Sequence, residues 1–269
     1  MTVTPAGRNQ SSSLRRALAV LGYLRDNAGR PVPLTRIAED LGMSKSTVLR
    51  LSAPLLEEDL LARDHETGWF RLGHGSLRLG QAYLSSIDVR AVAAEPLRRL
   101  QRAVRETCHL VLYDAPDVVY IDKVENEHNV RMASRVGSRA PAYCTAVGKA
   151  VLAWLDEDAF RLIVEAGMPP ITEKTVTDPK ALRAELEWIR RRGYSIDDRE
   201  NEPEVRCVAA AVFDHTDQAV AALSVSGLTS RMTPVRVREV GPLVVRTAAE
   251  ISRILGSTRH GAAAEGNVQ

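Results

Sequence analysis

The sequence predicts an α+β protein with a helical N-terminal domain and a larger C-terminal domain that contains an antiparallel sheet. The first basis is the helical spacing of apolar residues through about residue 55, followed by two short apolar stretches around a polar turn. The second is the region after residue 107, where strands and helices mix without strict strand–helix–strand alternation. The length of 269 residues fits about two domains.

Composition excludes several classes of protein. Apolar residues make up 45% of the chain and charged residues 26%, and the net charge of +2 excludes a polybasic binder. The three cysteines form no CxxC pair, which predicts free thiols in a reducing compartment. Without an apolar run of membrane-spanning length or a signal core, we expect a cytoplasmic protein with no membrane attachment. Residues 1–13 and 256–269 are expected to be disordered arms.

Helical periodicity predicts two helices before the first tight turn. Leucines at helical spacing place the first helix at about residues 12–27. A second, shorter helix begins with Thr35 as its N-cap and turns Ile37 inward. Gly42 then accepts the positive φ of a tight turn, and Ser44 is the expected N-cap of a third helix.

The third predicted helix has two different faces. Val48 and Leu51 fall on the side that packs against the first two helices. Ser46 and Arg50, four residues apart, point away from that side, with Thr47 beside them. Hydroxyls and an arginine have no role in a core, so this face is either solvated or contacts a partner outside the chain.

A small β-hairpin is predicted after the third helix, with a polar turn around Gly68. Three helices followed by a hairpin is the order of a winged helix-turn-helix. The outward face would then meet the DNA major groove, where Arg50 can donate two hydrogen bonds to guanine. Arg71 in the hairpin, the wing, would touch DNA as well.

Pro54 lies inside the third predicted helix. An interior proline costs about 3 kcal/mol and usually kinks the helix. We therefore expect a bend or an early end near residues 50–53, or a helix that is held by tertiary packing.

The remaining elements follow from periodicity and capping residues. Residues 73–87 are predicted as a connecting helix, and Asp88 as the cap of the next helix, which runs to about Thr107. Strands are predicted at 108–115, 117–124, 129–136, 206–214 and 219–227. Further helices are predicted at 145–155, 156–166, 178–192 and 234–255.

Four groups of residues, in sequence order, resemble the motifs of one protein family. They are SKSTVLRL with FRLG, SRAPAYCTAVGKAVLAWL, RRRGYSIDDRE, and RCVAAAVFD with VAALSVSG. Through these motifs, spread over more than 200 residues, the chain is similar to the IclR family of bacterial transcriptional regulators.

This resemblance implies a winged helix-turn-helix at 12–73, a dimerising linker helix at 74–87 and a GAF-like effector domain at 88–257. It implies a homodimeric or tetrameric regulator that binds a double-stranded DNA operator under the control of a small-molecule effector, often a carboxylate. No catalytic residue, metal or cofactor is expected. The residues expected at the DNA are Ser44, Lys45, Ser46, Thr47, Arg50 and Arg71.

The effector pocket is also carried over from the resemblance, position by position. Its expected residues are Met132, Ala146, Val147, Asp197, Cys207, Ser224 and Ser226. The sequence departs from the family pattern at Glu204, where glycine is common, and at Tyr143, where histidine is frequent. These departures bear on the loop over the pocket and on the identity of the effector.

The chemistry of these residues favours a small organic acid as effector. Thr145 is a candidate N-cap, and the free N–H groups of the helix behind it attract an anion. Ser224 and Ser226 alternate with apolar residues along a strand and therefore share a face. Asp197 repels an anion, so it either accepts a hydrogen bond from an effector hydroxyl or is itself protonated.

The same residues have other interpretations. A phosphate loop is excluded because Tyr143 and Ala150 stand where its glycine and Ser/Thr are needed. Cys144 or Cys207 with His109 would suggest a thiol-dependent enzyme with an accessory helical domain, although both cysteines have apolar neighbours. The histidine spacings do not favour a metal site. A further alternative is a DNA-binding protein whose C-terminal domain serves only assembly.

Overall fold

The computed structural model describes residues 12–27, 30–86, 88–125 and 132–259. The chain divides into two compact units between residues 86 and 87. No helix in the described ranges is long and apolar enough to cross a membrane.

The N-terminal unit has the element order of a winged helix-turn-helix, as predicted. Its elements are α1 (Ser12–Asp26), α2 (Leu34–Asp40), α3 (Lys45–Glu57), β1 (Leu61–Arg63), β2 (Phe70–Leu72) and α4 (His74–Ser86). Its core is formed by buried apolar side chains from the first three helices and the hairpin: Val20, Leu24, Val32, Ile37, Ala38, Val48, Leu61 and Phe70. Because α3 contributes Val48 to this core, its opposite side is left exposed.

The N-cap predicted for α3 is confirmed, whereas the N-cap predicted for α2 is wrong. Ser44 caps α3, since its Oγ accepts the backbone N–H of Thr47 at 3.2 Å. Gly42 has the expected positive φ, of 62°. Thr35, however, lies inside the first turn of α2, and the preceding Pro33 occupies the N-cap position. Proline fixes a suitable backbone angle there, but its side chain has no acceptor, so no side-chain cap is made.

Pro54 does not end α3 early, so the early end near residues 50–53, one of the three expected outcomes, is wrong. The helix continues through the proline to Glu57. Pro54 itself is exposed, while the next two residues, Leu55 and Leu56, pack against the core of the unit. Tertiary packing of these leucines therefore holds the last turn, the third of the expected outcomes.

The hairpin is confirmed and directs the chain into α4. Its strands pair antiparallel, with Leu61 opposite Leu72, and Gly68 takes a φ of 69° in the turn. Gly73 lies so close to the carbonyl oxygen of Asp59 that an added Cβ would be only 2.0 Å away. A glycine is therefore required where the wing leads into the connecting helix.

Within the described residues, the C-terminal unit is built on a six-stranded sheet in which every pairing is antiparallel, as predicted. The strand order is β5-β4-β3-β8-β7-β6. The strands are β3 (Thr107–Asp114), β4 (Asp117–Val124), β5 (Arg139–Pro141), β6 (Ser195–Asp198), β7 (Val205–Phe213) and β8 (Ala219–Leu228). The two halves of the unit's sequence meet where β3 pairs with β8.

Helices cover both faces of this sheet. They are α5 (Val89–Val104), α6 (Ala146–Leu152), α7 (Glu157–Ala166), α8 (Pro179–Arg192) and α9 (Pro234–Ile254). Alternate residues of β7 serve the two faces: Ala209 packs in the cluster with α6, α7 and α8, and Val208 packs in the cluster with α5 and α9. Asp88 caps α5 as predicted, but α5 ends before Thr107 because Arg105 adopts a left-handed φ of 58°.

Two strands differ from their prediction. The strand expected at 129–136 is wrong over 132–136, which form no strand, and 129–131 lie outside the described residues. The edge strand is instead β5, which pairs with β4. Asp197 lies on the other edge strand, β6, and pairs with Cys207. Its burial depends on a strand partner that local sequence does not reveal.

The predicted disorder of the terminal arms is wrong for the part that the structure describes. Ser12 begins α1. At the other end, the hydroxyls of Ser257 and Thr258 donate to the carboxylate of Asp217 at 2.6 and 2.8 Å. Residues 1–11 and 260–269 lie outside the described residues.

Candidate functional site

The outer face of α3 presents the side chains that the sequence singled out. Lys45, Ser46 and Arg50 are exposed, and Thr47 is half-buried. Neither Lys45 nor Arg50 forms an ion pair with another described residue. The charge on this face is therefore available to a partner, as DNA recognition requires.

The hydroxyls at the start of α3 interact with one another. Ser44 Oγ lies 2.8 Å from Thr47 Oγ1 and 3.0 Å from Ser46 Oγ, in addition to capping the helix. These contacts hold the first turn in one geometry. The backbone N–H groups at a helix N-terminus are suited to a phosphate oxygen.

The wing carries Arg71 on its second strand, exposed to solvent. Arg63, on the first strand, donates from Nε to the carbonyl of Gly68 at 3.0 Å, and its guanidinium lies 5.6 Å from the centre of the Phe70 ring. Arg63 thus stabilises the turn of the hairpin, while Arg71 remains available to a partner.

The C-terminal unit contains a cavity of about 400 Å³, including the part open to solvent. All seven residues expected in the pocket line it: Met132, Ala146, Val147, Asp197, Cys207, Ser224 and Ser226. They come from separate segments of the chain that the sheet and α6 bring together.

Seven further residues line the cavity that were not among those expected in the pocket: His109, Tyr120, Ser134, Thr145, Asn201, Glu202 and Val205. His109 faces the cavity because β3 pairs with β8, which places it directly opposite Ser224. The alternation along each strand was readable, but the pairing of the two strands was not. Glu204 and Tyr143, the two departures from the family pattern, are not among the described residues that line the cavity.

His109 joins two walls of the cavity. Its Nε2 lies 2.7 Å from Ser134 Oγ, and its Nδ1 lies 3.4 Å from both Ser224 Oγ and Ser226 Oγ. Burial, aided by the charge of Lys123, lowers the pKa of His109 to about 3. The neutral ring offers one donor and one acceptor to the hydroxyls around it.

Lys123 fixes the segment that carries Met132. Its Nζ donates to the carbonyl oxygens of Met132 and Ser134 at 2.9 and 2.8 Å. It also forms an ion pair with Glu125 at 3.0 Å. The charge of this lysine is thereby used to hold one wall of the cavity.

The N-terminus of α6 forms another wall. Thr145 caps the helix as predicted, accepting the N–H of Gly148 at 3.2 Å. The backbone N–H groups of Ala146 and Val147 have no acceptor among the described residues. A Cβ on Gly148 would lie 2.3 Å from the Cα of Ala142, so this glycine serves close backbone packing.

Asp197 is a buried carboxyl on the cavity wall. Its Oδ1 accepts the backbone N–H of Glu200 at 2.7 Å and of Asn201 at 3.4 Å. Burial raises the pKa of Asp197 to about 7, against the lowering effect of these hydrogen bonds and of Lys149. Near neutral pH this carboxyl exists in both protonation states.

Lys149 and Glu200 form an ion pair behind Asp197, and both side chains are buried. Burial raises the pKa of Glu200 more than the lysine lowers it. Glu200 Oε2 has no hydrogen-bond partner among the described residues. The loop after β6 is thus tied to α6 by a charge pair and to β6 by Asp197.

The thiols lack the environment of a nucleophile. Burial raises the pKa of Cys144 to about 12 and that of Cys207 well above its usual value. The pKa of Cys108 is also raised by burial. A thiolate is the reactive form of cysteine, so these three side chains are poorly suited to catalysis. Within the described ranges, no group of three or more His, Cys, Asp or Glu side chains could hold a metal ion.

Two family models match this chain. The model described as "IclR helix-turn-helix domain" matches residues 13–65, and the one described as "Bacterial transcriptional regulator IclR C-terminal" matches residues 81–253. Together they cover most of both units.

Curated relatives align over nearly the whole length of the chain. The HTH-type transcriptional repressor AllR of Escherichia coli (strain K12) is 34% identical over 257 residues, which are 95% of this chain and 94% of AllR. The transcriptional repressor IclR of the same organism is 32% identical and covers 95% of this chain and 94% of its own. The HTH-type transcriptional regulator KdgR is 34% identical, and the alignment covers 92% of this chain and 95% of KdgR. These relatives are named regulators and repressors, not enzymes.

Solved structures share the fold. The Agobacterium tumefaciens repressor BlcR superposes with a TM-score of 0.78 at 29% identity, covering 93% of this chain and 98% of BlcR. Pseudomonas aeruginosa HmgR gives a TM-score of 0.77 at 28% identity, covering 93% and 99%.

Proposed function

This chain belongs to the IclR family of bacterial transcriptional regulators, and we propose that its operator binding responds to a small organic acid in the cavity of its C-terminal domain. As a family member it is a DNA-binding regulator with an N-terminal helix-turn-helix and a C-terminal effector domain. The observation that carries the proposal is the cavity itself, whose hydrogen-bonding groups come from separate segments of the sheet, from α6 and from the 132–134 segment.

We place the DNA contacts on the outer face of α3 and on the wing. Arg50 is suited to a bidentate contact with guanine, and Lys45 to a phosphate. Ser44, Ser46 and Thr47 lie at the helix N-terminus, where hydroxyl and N–H groups contact the DNA backbone. Arg71 on the wing adds a second charged contact.

We place the effector carboxylate at the N–H groups of Ala146 and Val147. The hydroxyls of Ser224 and Ser226 would donate to it, supported by the neutral ring of His109. Met132 and Cys207 would line the apolar side of the ligand, and methionine adapts to varied shapes. Part of the cavity volume is open to solvent and the enclosed part is small, which favours a ligand of few atoms.

We further propose that the regulator is a dimer formed through the linker helix at 74–87, or a tetramer in which two such dimers pair through their effector domains at 88–257. Leu77 and Leu79 are largely exposed on α4, which supports a contact there. A single recognition helix reads few base pairs, whereas a dimer reads two half-sites about 34 Å apart or multiples of that spacing. The DNA-binding domain would comprise 12–73, and the cytoplasm is the expected location of such a protein.

The remaining alternative is a C-terminal domain that serves assembly alone. Fluorescence anisotropy with the DNA upstream of the protein's own gene, with and without small carboxylic acids, tests the proposal. Calorimetry of the same acids with the full chain separates ligand binding from its effect on DNA. We expect at least one acid to bind and to change operator affinity. Binding of only neutral or cationic compounds would contradict the anion pocket, and no ligand at all would favour the assembly role.

A further inference from the structure

The charges around the cavity are unbalanced for an anionic ligand. The lining includes two carboxyl side chains, Asp197 and Glu202, while no lysine or arginine is among the described lining residues. The nearby lysines are engaged elsewhere. Lys149 is paired with Glu200, and Lys123 with Glu125 and two backbone carbonyls.

An anion entering this cavity therefore meets a carboxyl without a compensating free cation. The effector carboxylate and an ionised carboxyl repel strongly in a largely dry site. Protonation of one carboxylate is the easiest way to remove this repulsion. Asp197 is only 3% exposed, so water screens its charge poorly. Its Oδ1 already accepts two backbone N–H groups, which leaves the rest of the carboxyl to carry a proton.

We propose that the effector enters as a carboxylate accompanied by one proton, which is taken from solvent and held on the carboxyl of Asp197. This inference rests on the proposed function and specifies the chemistry of its site. The protonated carboxyl donates a hydrogen bond to the effector carboxylate, and its other oxygen continues to accept the N–H of Glu200. One O–H bond forms on Asp197, and the net charge of the site is unchanged by binding.

Asp197 is the group near this site that is best placed to exchange a proton at neutral pH. Titratable and charged groups face Asp197 from several neighbouring elements. These elements are β3, β4, β7, α6, the segment before α6 and the loop after β6. The groups are His109, Tyr120, Cys207, Lys149, Cys144, Glu200 and Glu202. Burial keeps the histidine neutral and raises the pKa of the tyrosine and of both thiols, so these four stay neutral near pH 7. Glu200 is paired with Lys149. Burial raises the pKa of Asp197 to about 7, where proton uptake is readily accomplished.

Proton uptake makes effector affinity depend on pH. Below about pH 7 Asp197 is already protonated, so affinity is flat until the effector itself becomes protonated. Above about pH 8, affinity should fall nearly tenfold for each unit that the pH rises. The reason is that each binding event takes up one proton, and the proton concentration falls tenfold per unit.

The test is calorimetry of the full chain with acetate, glycolate, pyruvate, benzoate and 4-hydroxybenzoate at about pH 8. The tightest binder is then titrated in two buffers that differ in ionisation enthalpy, which counts the protons taken up. We expect nearly one proton for the natural chain and none for Asp197→Asn, whose affinity should be flat between about pH 6.5 and 8.5. Asp198→Asn, the same change at the neighbouring residue outside the cavity, should retain the uptake.

The outcomes separate the inference from the function on which it rests. If acids bind without proton uptake or pH dependence, the inference is overturned and the acid-binding function stands. If Asp197→Asn still takes up a proton, another group carries it and the assignment is wrong. If no acid binds, both fail. Should Asp197→Asn not fold by circular dichroism, the proton count and pH slope of the natural chain decide alone.

Discussion

The hydroxyl of Ser195 donates a hydrogen bond to the backbone carbonyl of Ala146 at 2.6 Å. This bond joins the first residue of β6 to the first residue of α6, which are 49 positions apart in sequence. Both elements form walls of the effector cavity. The position of the helix N–H groups relative to Asp197 therefore depends on a buried serine that does not itself line the cavity.

Replacing this serine, Ser195→Ala, should lower the free energy of unfolding of the effector domain by about 1–3 kcal/mol, because the buried hydrogen bonds from its hydroxyl to the carbonyls of Ala146 and Ala209 are lost. Urea denaturation followed by circular dichroism measures the change. Ser230→Ala, an exposed serine of the same domain, should shift stability by less than about 0.5 kcal/mol. Equal effects in the two variants would show that the bond to Ala146 contributes little.

On the recognition helix, Arg50→Ala should weaken specific operator binding by about 1–3 kcal/mol, since a bidentate contact to guanine is lost. Lys45→Ala should weaken cognate and scrambled duplexes alike and lower the salt slope by about one. Salt titrations by anisotropy on both duplexes distinguish the two effects.

Arg50→Lys is the matched control for charge. It keeps the cation but loses the two-donor geometry, so scrambled DNA should bind normally while discrimination falls. Unchanged discrimination in both Arg50 variants would place sequence recognition on another element.

Assembly through α4 predicts a dimer or larger species at micromolar concentration. Light scattering after size-exclusion chromatography checks this, and a stable 29.5 kDa monomer would rule it out. The double change Leu77→Ser with Leu79→Ser should weaken the dimer more than tenfold, because exposed apolar surface is removed from the contact. Ile171→Ser, the same kind of change at an exposed residue of the other unit, should leave the dimer intact.

In the cavity, Ser226→Ala should weaken binding of acids by about 1–3 kcal/mol, since a buried carboxylate oxygen loses a donor. DNA binding without effector should be unchanged, because the residue lies in the C-terminal unit. Calorimetry of the full chain provides the measurement. Ser230→Ala, a change at an exposed serine shortly after β8, serves as the control. Normal acid binding by Ser226→Ala would remove this hydroxyl from the site.

Pro54→Ala should stabilise the DNA-binding domain by about 1–2 kcal/mol. Alanine restores a helical N–H and has a far better helix propensity than proline. This gain is larger than the cost of the change, which is that the unfolded chain becomes more flexible without proline. Because Pro54 is exposed, little packing is lost. Thermal unfolding measures the gain in stability. Ala53→Pro, which removes a helical hydrogen bond at the neighbouring position, should destabilise the same domain. A less stable Pro54→Ala would mean that the proline shapes α3 in a way that its neighbours need.

Local patterns in the sequence were sufficient for most helices, for four strands of the large sheet and for the hairpin. Ser44, Asp88 and Thr145 were identifiable as N-caps because a cap satisfies N–H groups only two or three residues away. The exposed face of α3 was readable for the same reason, since helical periodicity is set by near neighbours. Pro54 was ambiguous, because the packing that holds the last turn involves other helices.

Tertiary structure alone decided which residues share the cavity and what state they are in. His109 meets Ser224 because β3 pairs with β8, across 115 positions of sequence. Asp197 acquires its raised pKa because β6 is the partner of β7 and α6 covers it, so water is excluded from a carboxyl that in a turn would be solvated. Periodicity and capping are properties of a few consecutive residues, whereas strand pairing and desolvation depend on segments that only the folded chain brings together.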